Sequence, residues 1–351
     1  MTGTSVRPSA ASEIRMTGLN ATRGANFWSV RPVTRMDLAV GAYEDLSSAE
    51  VPGVREQLVA AMPGLIEHRC SIGERGGFVL RLRRGTYAPH IIEHVALELQ
   101  TMMGHDVGYG RTRGGDVEGE YTLVFEHAHE QVGLRAAALA LETVQQAFDG
   151  VLASVDAAVS ELRAIADTTD TPRLRHRVLC GVTGGDGRAE AQRLLRERLD
   201  DPAAVVVDVA PGYLLQAGLP YSRSRMAIIL DSRLEDVPER YREEARAIRL
   251  VNILSDAVER DGMVICHARA WEVQDYARDS DCRIAIFTTD DDVSRRDSRL
   301  ARAIGRVRAG RIVIEGCGGD EDAGPIDPTI AAAPQVAAAL AAATLRSEGD
   351  R

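Results

Sequence analysis

Beyond residue 176 short apolar runs alternate with helix-length stretches, which restricts the second half of the chain to a sheet layered between helices. Arg177–Gly181, Ala204–Val209, Met226–Leu230, Met263–Cys266, Arg283–Phe287 and Arg311–Ile314 read as strands. Ala189–Leu199, Glu239–Arg260 and Trp271–Arg278 read as helices. The expectation is an α/β domain over 177–345 with a mostly parallel sheet. An Ala-rich helical stretch over 329–344 and a charged tail at 346–351 close it.

The first half is patterned differently. Val33–Val40, Phe78–Leu82 and Glu120–Glu126 read as strands, and a helix over Val54–Met62 is broken by Pro63-Gly64. Pro89–Met103 reads as a helix stopped at Gly104, followed by the Gly- and Arg-rich loop 108–115 and a long helix over His129–Phe148. Strands and helices in this order predict an α+β domain over 16–163, a mainly antiparallel sheet with its helices packed on one face. Residues 1–15 are polar and expected to be flexible, and the Thr/Asp-rich stretch within 164–176 reads as a linker.

At 351 residues the chain is too long for one comfortable core. A net charge of −10 and the lack of basic runs with interleaved aromatics argue against nucleic acid as a partner. Nothing approaches the ~20 apolar residues of a membrane span. Cys70, Cys180, Cys266, Cys282 and Cys317 form no C-x-x-C pair and read as reduced thiols, so the expected compartment is the cytoplasm.

The chemistry is concentrated in His90-Ile91-Ile92-Glu93-His94, an H-x-x-E-H sequence on the Pro89–Met103 helix. Residues four apart lie about one helical turn apart, so both imidazoles and Glu93 project from one face. Ile91, Ile92, Val95 and Leu99 make the neighbouring face apolar, so the polar trio must border the core or line a cleft. Partners are then required, since an unpaired buried polar group costs about 1–3 kcal/mol. A bound Zn2+ satisfies all three, and a solvated polar face does so equally well. In the metal reading His90 and His94 hold zinc, and Glu93 is the base that takes a proton from the metal-bound water.

Four blocks carry a family resemblance: Arg23–Ser29, Pro63–Ser71, His90–Gln100 and Val107–Arg113. In that order they resemble the N-terminal domain of cyanophycin synthetase over roughly residues 16–160. Some members carry a zinc-peptidase site at this motif, so the resemblance implies a zinc-dependent peptidase or amidase acting on a small peptide or isopeptide with Asp- or Arg-like side chains. Catalytic zinc takes three protein ligands and a water. Glu130 is the expected third ligand because it matches an acidic position of the family, with Glu126 next and His127 or His129 as further candidates. His68 matches a family block as a ligand or a supporting residue, while Cys70 reads as core. Arg111 and Arg113 are expected to clamp a substrate carboxylate, the task a planar guanidinium suits. Glu67 and Glu98 are weaker candidates for a guanidinium.

The second half resembles the Mur-ligase-like part of the same enzymes in degraded form. Gly184-Gly185-Asp186-Gly187-Arg188-Ala189 stands where the family has G-T-N-G-K-T, so the lysine and the Mg2+-binding hydroxyl are missing. Pro211 replaces an arginine, Leu230–Val237 lacks an Asp-His pair, Arg249 stands at a lysine position, and the ATP-grasp segment is absent. The resemblance implies a retired ligase domain that serves as a wall of the cleft or as a homo-oligomer contact. Two further readings stay open: a non-catalytic protein that binds a polymer or a partner ligase, and, disfavoured by Ala189, an ATP-dependent amide ligase.

Overall fold

The computed structural model describes residues 7–172, 174, 176–290, 299–316 and 319–349. Cys317, residues 1–6, Arg173, Arg175 and residues 350–351 lie outside the described residues. The chain forms two compact units, one made of residues 1–23 and 31–173, the other of residues 24–30 and 174–351.

The first unit holds a four-stranded antiparallel sheet, β1 (Arg15–Ala21), β2 (Val33–Ala39), β3 (Gly110–Gly114) and β4 (Glu120–Glu126), in the order β1-β2-β4-β3. On β2, Met36 and Leu38 are buried while Arg35 and Asp37 are only partly covered, the period-2 signature of a sheet with one face on the core. Met36 pairs with Leu123, and Thr112 on β3 pairs with the same residue from the other side. Among the described residues six α-helices belong to this unit: α1 (Ala10–Glu13), α2 (Val54–Ala61), α3 (Gly77–Arg84), α4 (Ala88–Met102), α5 (Glu130–Phe148) and α6 (Asp156–Thr168). Their apolar faces and the sheet close one core containing Tyr43, Phe78, Val95, Phe125 and Phe148.

Helix α4 carries the H-x-x-E-H residues. Tyr87 caps it in extended conformation, Pro89 occupies the first turn, and Gly104 ends the turn beyond it at φ +99°. Every residue from Ile91 to Gln100 is buried, so α4 is the central helix of the unit and its polar face must look into the protein.

Several expectations change here. Phe78–Leu82 is helical, not a strand. Gly76 at φ +82° turns the chain into α3, which buries Phe78 and Leu82, four residues apart, and leaves Arg81, Arg83 and Arg84 at its C-terminal end, the end that favours cations. Residues 7–14 are ordered against α5: Arg7 donates to the Phe148 carbonyl at 2.8 Å, Ser9 to Asp149 at 2.6 Å, and Ala10 and Ile14 are fully buried. The expected linker begins inside α6. Gly24–Val30 belongs to the second unit, where the Ala25 carbonyl accepts from Leu219 N–H at 2.7 Å and the Phe27 ring meets Tyr241 edge-on at 5.1 Å.

Among the described residues the second unit is built on eight strands: β5 (Arg177–Thr183), β6 (Val206–Asp208), β7 (Arg223–Ile229), β8 (Val258–His267), β9 (Arg283–Phe287), β10 (Ile304–Arg308), β11 (Arg311–Glu315) and β12 (Glu321–Pro325). Their order is β12-β11-β10-β9-β8-β7-β5-β6, parallel from β6 to β10 and antiparallel at β11 and β12. Among the described residues it also contains helices α7 (Arg188–Leu199), α8 (Pro211–Ala217), α9 (Glu244–Val251), α10 (Ile253–Asp256), α11 (Trp271–Asp279) and α12 (Ala332–Gly349). One buried cluster unites Leu214, Leu250 and Val273, another Leu195, Ile228 and Leu340, so the sheet has a core on each face. The helix expected over Glu239–Arg260 divides at Asn252, and Val258 already belongs to β8.

Candidate functional site

Helical spacing delivers His90, Glu93 and His94 to one cavity of about 940 Å³ in the first unit. Its walls come from α3, α4, β3 and the segment around His68 and Cys70. Phe78 seats the imidazoles: its ring stacks on His94 at 3.9 Å and 18°, and meets His90 edge-on at 5.8 Å.

Each imidazole is oriented by a second residue. Thr86 Oγ1 lies 2.7 Å from His90 Nδ1, which turns Nε2 toward Cys70 Sγ at 3.3 Å. His94 Nδ1 lies 2.8 Å from His68 Nδ1, and His68 Nε2 lies 2.9 Å from Glu98 Oε2. With Nε2–H of His68 on the Glu98 carboxylate, His68 Nδ1 accepts the Nδ1–H of His94, and the lone pair of His94 Nε2 is left free. Burial pushes the pKa of His90 down to about 4 and that of His94 to about 2, with Arg81 lowering both further and with His90 and His68 adding to the effect on His94. Both rings are therefore neutral near pH 7, the state in which imidazole offers a lone pair.

Glu93 is buried beside them. Burial raises its carboxyl pKa to about 7, against the opposing Thr112 hydroxyl, which donates to Glu93 Oε2 at 2.5 Å. Gly110 makes this contact possible, since a Cβ there would stand 2.6 Å from Glu93 Oε1.

The residues present fit a zinc ion. Cys70 Sγ and one ring nitrogen each of His90 and His94 lie within 4.8 Å of one another. A thiolate and two imidazoles are a donor set zinc accepts, and Thr86 and the His68–Glu98 pair supply the outer hydrogen bonds that ligating histidines use.

Glu130 is not brought to this site. At the first turn of α5 it accepts from Arg23 Nε at 2.6 Å and Nη2 at 3.0 Å, and its backbone N–H donates to Thr171. Glu126 binds Arg31 at 3.1 Å, His127 Nδ1 meets Thr34 at 3.0 Å, and His129 caps α5. The structure thus holds Glu130 on Arg23 and away from His90 and His94, contrary to the expectation, and brings to them instead Cys70, which sits at φ +54° in a loop that sequence spacing does not position. Arg111 lines the cavity with Glu67, His68 and Glu98, whereas Arg113 is not among its lining residues. Arg69, Arg81 and Thr112 line it as well and were not foreseen.

In the second unit the strand order places the topological switch between β5 and β7. The Gly184–Arg188 turn opens α7 there, with Gly184 at φ +125° and Gly187 at φ +85°. Asp231 Oδ1 accepts the Gly185 N–H at 3.0 Å and the Arg233 N–H at 2.9 Å. Arg188 donates to the Gly184 and Gly185 carbonyls at 2.9 and 3.0 Å and to Asp208 at 3.0 Å.

Residues 35–149 match the family model of the cyanophycin synthase-like N-terminal domain, the stretch that builds this cavity. Cyanophycin synthetase of Synechocystis is 39% identical over 183 residues, 50% of this chain and 20% of that protein. Cyanophycin synthetase of Crocosphaera subtropica is 46% identical over 134 residues, 36% of this chain and 15% of that protein. The matched stretches thus span about a fifth or less of these relatives' length. A UDP-N-acetylmuramate:L-alanyl-gamma-D-glutamyl-meso-diaminopimelate ligase from Neisseria meningitides overlaps 56% of this chain and 70% of its own at 15% identity. Its TM-score of 0.34 is too low to carry an argument. The matched relatives are named as synthetases, and that finding overturns the expectation of a metal-dependent hydrolase cutting peptide bonds.

Proposed function

We propose that the first unit holds a peptide or polymer end during ATP-dependent amide ligation of the cyanophycin type, and that this chain is the binding component and not the catalyst of bond formation. The observation that carries the reading is the 940 Å³ cavity, built within the stretch that matches the synthetase N-terminal domain. In this reading Cys70, His90 and His94 hold a zinc ion, which when bound supplies a Lewis-acidic point for a ligand oxygen. Thr86 and His68 orient the imidazoles, Phe78 packs against their rings, and Tyr87 and Tyr109 offer flanking ring surface for an extended chain. The compartment in this reading is the cytoplasm, consistent with Cys70, Cys180, Cys266 and Cys282 standing free. Among the described residues no helix is long and apolar enough to cross a membrane.

Calorimetric titration of the full chain with short aspartate oligomers, with and without arginine on their side chains, tests the proposal. Saturable binding lost on filling the cavity through Gly110→Leu is the expected result. No binding of either oligomer overturns it. A second reading, an ATP-dependent amide ligase, is favoured by the names of the relatives. Micromolar binding of Mg-ATP would select it over the first.

A further inference from the structure

The cavity of the first unit has an unequal charge inventory. Three carboxylates line it, and all three are engaged: Glu67 with Arg75, Glu98 with His68, and Glu93 with the Thr112 hydroxyl. Three guanidiniums line it as well, Arg69, Arg81 and Arg111, each exposed. Among the described residues none of these three makes a hydrogen bond or an ion pair. They come from three separate segments: Arg69 from the loop before Cys70, Arg81 from the end of α3, Arg111 from β3.

We propose that this cavity selects an acidic peptide, a chain whose successive side-chain carboxylates are received by Arg69, Arg81 and Arg111, with Arg81 and Arg111 as specificity-determining residues. The inference rests on the peptide-holding reading above and adds the sign of the ligand's charge. A guanidinium presents a planar fork that matches a carboxylate, and three forks on separate segments suit charges spaced along a chain. A compact polyanion such as pyrophosphate offers one centre of charge to guanidiniums carried by three separate segments and is the poorer match. Arginine on every side chain of the ligand would cancel the charge that the free guanidiniums favour. The selected form is therefore the bare acidic chain over the arginine-decorated one.

The test is calorimetry on the full chain as purified, at low and at physiological salt, with hexa-aspartate, hexa-asparagine, arginine-decorated hexa-aspartate and pyrophosphate. Exposed guanidinium–carboxylate contacts contribute roughly two- to fivefold each, so three together are expected to make hexa-aspartate bind about 10-fold or more tighter than hexa-asparagine. The advantage is expected to shrink as salt rises, because exposed charges are screened. Arg81→Gln and Arg111→Gln should each weaken hexa-aspartate several-fold and leave hexa-asparagine and urea unfolding unchanged, which separates lost charge from lost fold. Equal binding of the three peptides overturns this inference and leaves the peptide-holding reading standing. Tighter binding of pyrophosphate than of hexa-aspartate overturns it too, in favour of a phosphate ligand. Absence of binding by every peptide overturns the peptide-holding reading itself.

Discussion

His127 follows β4 with its ring buried and its Nδ1 3.0 Å from Thr34 Oγ1. Burial lowers its pKa from the ordinary 6.5 to about 4, with Glu130 opposing and His129 adding to the effect. The unfolded chain therefore takes up this proton near pH 6.5 and the folded chain only near pH 4. Between these values the unfolded state binds more protons, so stability is full above pH 6.5 and falls as the solution is acidified. One proton corresponds to about 1.4 kcal/mol per pH unit, which gives a loss of roughly 2–3 kcal/mol between pH 7.5 and 4.5. His127→Asn keeps an acceptor for the Thr34 hydroxyl and does not titrate. His90 and His94 titrate in the same direction, but they are common to both proteins, so the difference between the two curves isolates His127. Urea unfolding of chelator-treated protein across this range should show the variant's deficit at neutral pH shrink by roughly 2–3 kcal/mol on acidification. Parallel curves, or an NMR titration placing the folded His127 near 6.5, would refute the reasoning.

Phe78→Ala should cost about 3–5 kcal/mol in urea unfolding and also release zinc, because the ring is fully buried and stacked on His94. Phe148→Ala should cost a similar amount and leave zinc content unchanged. In protein expressed with zinc, Cys70→Ser, His90→Ala and His94→Ala should each lower the bound metal while Glu130→Gln keeps it, and elemental analysis decides; loss in Glu130→Gln alone would restore the original ligand assignment. The Arg23 hydrogen bond holds the Glu130 carboxyl below its ordinary 4.5, so this contribution is present above that pH and lost as pH falls through the folded value. Because Arg23 is 53% exposed, Arg23→Gln should destabilise by less than about 1 kcal/mol at pH 7, with both proteins converging in acid.

The elements read correctly from sequence are those whose periodicity their environment enforces. β2 and β4 are interior strands of the first sheet and α4 and α5 its long helices, so burial imposes a pattern on each. β1 and β3 went unseen because they are the two edges of that sheet. Gly110-Arg111-Thr112-Arg113-Gly114 carries no apolar alternation, since a polar edge protects against pairing with another chain. Phe78–Leu82 misled because Phe78, Leu80 and Leu82 alternate like a strand, while the left-handed glycine before them commits the chain to a helix. At the site, spacing alone fixed the common face of His90, Glu93 and His94. The partners Cys70, Thr86 and Thr112 arrive from other segments, and only the fold determines which of several plausible residues arrives. Glu130 looked suitable by position, but the Arg23 guanidinium claims its carboxylate.

The second unit bears on the choice between the two functional readings through what its Gly-rich turn already binds. Such a turn at a helix start is useful to a nucleotide because its N–H groups face an anion. Here the Gly185 N–H is met by the Asp231 carboxylate, which Arg233 N–H also grips, so an anion of the chain's own sits against the turn. Arg188, the first residue of α7, is turned back onto the Gly184 and Gly185 carbonyls and held by Asp208. A phosphate would have to displace a carboxylate that costs no translational entropy to place, and would find no hydroxyl at Ala189 for magnesium. The polar groups of this turn therefore satisfy one another, and residue 189 offers no hydroxyl to a magnesium ion. That mutual satisfaction is the ground on which the proposed peptide-holding reading is preferred to the ligase reading, and Mg-ATP titration of the full chain is the measurement that decides between them.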